Sequence, residues 1–259
     1  MARFWLVLSL SLFVASFSVA QTSTVSDLQA VQFLKRSVSA MATVAPTDSV
    51  ATGSVNIVAG SQTSQGTVRI LTRGINETSV QVQTQDANWA IVFLQGQASK
   101  TDAGTSTALS LEGASTSQAA YFPLAYLAAI LQNPDAVIQN IGSETLNGAS
   151  AQHLRTWNSF RSAPSWQFLS AFTITDIWLD GSSGLPRRVS FVHRDGGGAT
   201  PKILVTIDYS NYQNIDGVLF PMQIQQSVNG TPWMTVSIQA ASFNTGLTDA
   251  DFPVVQGGN

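Results

Sequence analysis

Residues 203–238 read ILVTIDYSNYQNIDGVLFPMQIQQSVNGTPWMTVSI. Ile203, Val205, Ile207 and Tyr209 fall on one face at a period of two. Met222, Ile224 and Val228 alternate with Gln223, Gln225 and Ser227, and Met234, Val236 and Ile238 repeat the pattern. A period of two is the mark of a half-buried strand. Asn229-Gly230 joins the last two runs, and both residues tolerate the positive φ that a two-residue hairpin demands. This stretch predicts three antiparallel strands.

The same style extends in both directions. N-terminal to the stretch, residues 172–179 and 185–193 form two runs around the turn Asp180-Gly181-Ser182-Ser183-Gly184, a hairpin. Gly196-Gly197-Gly198 lies between strands and reads as a hairpin loop, not a linker. Residues 151–157 form another strand, introduced by Asn147-Gly148. Further back, Val55 and Ile57, residues 67–72, 79–83 and 89–93 give four short strands with Gly60-Ser61 and Gly74 between them. Residues 95–117 are small, polar and glycine-rich. They read as a loop with one weak strand at 109–111. Strands at this regular spacing make an antiparallel meander of about nine to eleven members. C-terminal to the stretch, the polar residues 253–259 read as a flexible tail.

Two segments break the period. Asp27 is placed to cap a helix over residues 28–41, in which Leu28, Val31, Leu34, Val38 and Met41 form one apolar stripe and Lys35 and Arg36 lie on the polar side. Residues 122–131, FPLAYLAAIL, start with a proline suited to a first turn and stop at Asn133-Pro134. That helix is apolar nearly all round. A surface helix keeps a polar face, so this one is buried or lies in an apolar cleft.

Met1-Ala2-Arg3, the apolar run 4–19 and the small residues Ser18-Val19-Ala20 have the form of an export signal, with cleavage before Gln21. The apolar run is shorter than the ~20 residues a spanning helix needs. Removing 20 of 259 residues leaves 239, enough for one sizeable core. The organisation expected is therefore a signal at 1–20, one domain at 21–252 and a tail at 253–259. With no cysteine the chain carries no disulfide and no lipidated N-terminal cysteine. The location implied is periplasmic or secreted.

Only 10 % of the chain is charged and the formal net charge is −3. The closest basic groupings, Lys35-Arg36 and Arg187-Arg188, are too small to track phosphates, so no nucleic-acid partner is expected. The two histidines, His153 and His193, sit in separate strands and give no zinc set and no nucleophilic triad. Gly181-Ser182-Ser183-Gly184 lacks the strand-to-helix setting of a nucleophile elbow. Asp176 and Asp180 flank Trp178 and resemble a glycosidase pair, but Asp180 has a competing role in its turn. No metal, no cofactor and no catalytic residue are expected.

Four motifs carry a resemblance. Ile177-Trp178-Leu179-Asp180 followed by Gly184-Leu185-Pro186-Arg187-Arg188-Val189, the run 208–221 from Asp208-Tyr209 to Phe220-Pro221, Leu247-Thr248-Asp249-Ala250-Asp251-Phe252, and Gly142-Ser143-Glu144-Thr145-Leu146-Asn147-Gly148 together resemble LolA-like exported proteins. The likeness is good over residues 142–252. It implies a mainly β, α+β fold: a single open antiparallel half-barrel around two packed helices, with an apolar cavity. The function expected is an exported carrier of a lipid, acyl or other apolar ligand, touching membrane only transiently. Its expected lining residues are Trp89, Phe93, Tyr121, Phe122, Leu124, Leu127, Ile130 and Leu131. The alternatives are a non-catalytic envelope protein that binds a protein partner through its sheet faces and, third, a secreted hydrolase.

Overall fold

In the computed structural model, residues 25–74, 77–109, 120–193 and 202–255 are described. The export signal, the loop Gly196-Gly197-Gly198 and residues 256–259 lie outside them. Thirteen strands form one antiparallel sheet. The first six are β1 (Asp48–Ala59), β2 (Gln62–Arg73), β3 (Glu77–Thr84), β4 (Asn88–Leu94), β5 (Gln97–Asp102) and β6 (Thr105–Ala108). The other seven are β7 (Ala136–Leu146), β8 (Ala149–Asn158), β9 (Thr175–Asp180), β10 (Pro186–His193), β11 (Ile203–Ile215), β12 (Val218–Val228) and β13 (Thr231–Phe243).

Five of the hairpins close through two residues that both have positive φ: Gln95-Gly96, Ala103-Gly104, Asn147-Gly148, Asp216-Gly217 and Asn229-Gly230. Such a turn twists with the strands it joins, so it fixes register without splaying them. The order across the sheet is β6-β5-β4-β3-β2-β1-β13-β12-β11-β10-β9-β8-β7. Each strand thus lies beside its sequence neighbour, with one exception. The first strand pairs with the last, Ser49 opposite Phe243 and Ile57 opposite Met234. The backbones approach so closely there that a Cβ on Gly53 would lie 2.1 Å from the Ser237 carbonyl oxygen.

The two edges, β6 and β7, are consecutive in the chain and far apart in the sheet. The connection between them carries the helix α2 (Pro123–Gln132), which packs on the preceding helix α1 (Leu28–Met41). Both lie inside the curl, where Leu34, Met41, Leu124 and Leu127 join Val55, Ile70, Ile177, Phe220 and Ile224 in one core. Asp27 caps α1 by accepting the N–H of Gln29 at 2.8 Å. Ser26 and Asp27 also bond β7 at Ala136 and Ile138, which covers part of that edge.

A second, smaller core lies on the opposite face. Leu71, Val92 and Phe252 are buried together, with Val50, Leu94, Leu247 and Val254 packed around them. The chain after β13 crosses this face as a strap. Asp48 holds its start, accepting the N–H of Thr245 at 2.6 Å and that of Gly246 at 2.9 Å. Arg73 holds its middle: the guanidinium pairs with Glu77 and Asp249 and lies over the Phe252 ring, 5.3 Å from its centre.

Several expectations need correction. The described residues form thirteen strands, not nine to eleven. β5 and β6 occupy the segment read as a loop, because strands of Gln, Ser, Thr and Lys near an edge need no apolar alternation. Leu109 follows β6 and bonds Ala98, while residues 110 and 111 lie outside the described residues. β7 was not expected before Asn147-Gly148. Phe172 ends a 3-10 helix, Pro164–Phe172, and β9 begins at Thr175. The buried stripe of α1 is Ala30, Leu34, Ser37 and Met41, whereas Leu28 is 80 % exposed at the first turn. Val254 packs partly buried against the second core.

Candidate functional site

Trp89 on β4 and Trp233 on β13 are separated by three intervening strands. In a flat sheet, four strand spacings come to roughly 19 Å. The two rings instead stack with their centroids 6.2 Å apart. The sheet therefore curls into a trough. A cavity of about 470 Å³ lies in it, between β3, β4 and β5 on one arm and β10 to β13 on the other. Its walls are Val80, Trp89, Ile91, Phe93, Leu109, Tyr121, Phe191, Ile203, Val205, Ile207, Val228 and Trp233. Lys100, His193, Gln226 and Tyr121 complete the lining with polar or amphipathic side chains.

The Tyr121 hydroxyl donates to the Gln226 side-chain oxygen. Burial pushes the Tyr121 pKa well up, so the ring stays a neutral donor at any physiological pH. Tyr209 and Tyr212 are raised by burial in the same way, and each donates to a backbone carbonyl, of Ala120 and Pro186 respectively. These buried phenols thus hold position and carry no charge.

A second cavity, of about 590 Å³, runs along α2 from Phe122 to Pro134. Phe122, Ala125, Tyr126, Ala129 and Ile130 of the helix face Thr72, Glu77, Phe93 and Gln97 on one side and Trp157, Asn158, Thr173 and Thr175 on the other. It is the more polar of the two. Phe93 belongs to both walls, so this ring separates them.

The eight residues expected at a ligand site are distributed between these spaces and the core. Trp89, Phe93 and Tyr121 face the first cavity, and Phe93, Phe122 and Ile130 face the second. Leu124 and Leu127 are fully buried between the helices and the sheet, and border neither. Leu131 packs partly buried against the main core. The C-terminal wall, Phe191, Ile203, Val205 and Trp233, was not singled out. The alternation of 203, 205 and 207 did signal an inward face. Trp233 gave no such signal, because it enters through a bulge: Gln226 pairs with Met234 and Ser227 with Pro232, leaving Trp233 as the extra residue.

Of the polar groups considered for catalysis, His193 lines the first cavity, and the others lie elsewhere. His153 stacks on Trp178 and places Nε2 2.9 Å from Asp176, which also receives both arms of Arg155 at 2.9 and 3.0 Å. This cluster is on the outer face of β8 and β9, away from both cavities. Asp180 is taken up by its own turn, accepting from Ser182 and Ser183.

No family model matches the sequence, and no curated protein matches it. Solved structures do. A LolA superfamily protein from Nitrosomonas europaea superposes with a TM-score of 0.56 at 15 % identity, over 86 % of this chain and 97 % of that one. The fold is LolA-like. A domain described as an outer-membrane lipoprotein-sorting protein, from Vibrio parahaemolyticus, gives 0.57 at 14 % identity, over 86 % and 96 %. A DUF1329 family protein from Desulfovibrio piger gives 0.54 at 11 %, over 87 % and 96 %. The likeness covers nearly the whole of each of those chains.

Proposed function

We propose that this protein is an exported carrier that holds an apolar molecule, such as a lipid or acyl chain, in the trough of its half-barrel. The observation that carries this reading is the 470 Å³ cavity, walled by aromatic and aliphatic side chains from both arms of the sheet. Its size and chemistry match ligand pockets generally, which are mostly apolar with a few placed polar groups. The fold is shared with a domain described as sorting outer-membrane lipoproteins, which agrees with a carrier of acylated or lipidic cargo. Export, by the leader at residues 1–20, would bring the protein to the compartment where such cargo is moved. Of the groups weighed for catalysis, only His193 lines this cavity, and neither His153 nor Asp176 does.

The test is displacement of a fluorescent fatty acid by native lipid extract, with Val205→Trp as the filled-cavity variant. The wild type is expected to bind at micromolar concentration and the variant at least tenfold more weakly, with unchanged circular dichroism. Equal binding by both would remove the trough as the site.

A further inference from the structure

The connection between β8 and β9 carries an apolar surface that the carrier reading does not use. From Ser162 to Thr175 the sequence SAPSWQFLSAFTIT holds no charged residue. Its anchor is Leu169, 1 % exposed, whereas Trp166, Phe168 and Ile174 are 42 %, 63 % and 40 % exposed. The segment is firmly held at its base. Buried Asp135 accepts the Ser162 N–H at 3.0 Å and its hydroxyl, and the Arg161 guanidinium donates to the Pro134 carbonyl at 2.6 Å.

We propose that this segment docks on the surface of a lipid bilayer, with Trp166 and Phe168 inserted at the interface. Three observations favour a bilayer over a protein. Taking ~200 Å² for a large side chain, the three exposed residues offer roughly 300 Å². A stable protein interface takes about 800 Å² from each partner, whereas insertion among lipids requires no matching surface. The chemistry suits the interface: a tryptophan and a phenylalanine on an uncharged loop, with Arg161 at its foot on the side of the lipid phosphates. The position adds a third argument. Trp157, Asn158, Thr173 and Thr175, the two feet of the segment, line the 590 Å³ cavity, so docking would set that opening against the membrane. This last point rests on the carrier reading; the docking itself does not.

Because the formal net charge is −3, attraction to anionic lipid does not drive the contact. Binding should therefore survive high salt. The experiment uses the chain from Gln21 onward, which contains every described element, floated with vesicles of phosphatidylcholine alone or mixed with phosphatidylglycerol. The same protein is tested for fluorescent fatty acid binding without vesicles. The wild type is expected to float with both compositions and in ~0.5 M salt. Trp166→Ser and Phe168→Ser should each lower partition about tenfold and leave fatty acid binding intact. No flotation of the wild type, or equal flotation of the double variant, would overturn the proposal. So would a dimer lost in the double variant without any vesicle binding, since it would identify a second copy as the partner. Flotation without fatty acid uptake would overturn the carrier reading alone and uphold docking.

Discussion

Asp180 shows how much a single carboxylate does in this sheet. One of its oxygens accepts the Ser182 hydroxyl at 2.6 Å and the Ser183 N–H at 2.8 Å, closing the turn between β9 and β10. The Ser182 hydroxyl and then the Ser183 N–H favour the ionised form, outweigh partial burial and hold the pKa at about 2, below the ordinary 3.8. A folded-state value below the unfolded one contributes stability that is complete above 3.8 and is lost as pH falls through about 2. Asp180→Ala is therefore expected to cost about 1–2 kcal/mol at pH 7, with the gap to wild type closing towards pH 2. Denaturant titrations at pH 7, 4 and 2 would check it, and a gap constant with pH would contradict it. The turn role of Asp180 was legible, because Asp before Gly-Ser-Ser is local chemistry. The exposure of Leu28 was not. Apolar residues at helical spacing suggest a stripe, but the buried one runs through Ala30, Leu34, Ser37 and Met41, and Leu28 lies on the opposite side of the helix.

Among the elements, the strap after β13 makes a sharp demand on the core. Phe252 is fully buried in a small cluster whose other buried members are Leu71 and Val92. Phe252→Ala is expected to cost about 3–5 kcal/mol, read as a shift in the urea midpoint. The trough lies on the other face, so fatty acid binding below the transition should be unaffected. A loss under about 1 kcal/mol would mean that the strap is held by Asp48 and Arg73 alone. Elements with strong local signals were readable: both helices, the Asn-Gly hairpins and the alternating C-terminal strands. β5 and β6 were not, since they sit at the sheet edge with mostly small and polar side chains. Nor were the bulges. The shift between Gln226 and Ser227 is a mismatch of two strands, and neither strand records it alone. The candidate site suffered most from this, because its C-terminal wall depends on that bulge for Trp233.

At the scale of the molecule, β1 and β13 meet at the centre of the sheet while the edges come from mid-chain. Pairing across the length of the chain is slow to find. Refolding is accordingly expected in milliseconds to seconds, by stopped-flow tryptophan fluorescence. A phase completed within tens of microseconds would be inconsistent with a sheet joined at its two ends. This joining was hidden in the sequence, where every strand announces its neighbour in the chain and none announces a partner nearly 200 residues away. It also governs the birth of the protein. At ~5–20 residues per second of synthesis, roughly 10–40 s separate the emergence of β1 from that of β13. Throughout that interval, the inner side of β1 lacks its partner and is open to any other strand it meets. Until the partner strand has been made, that edge is a place where two newborn chains could pair with each other.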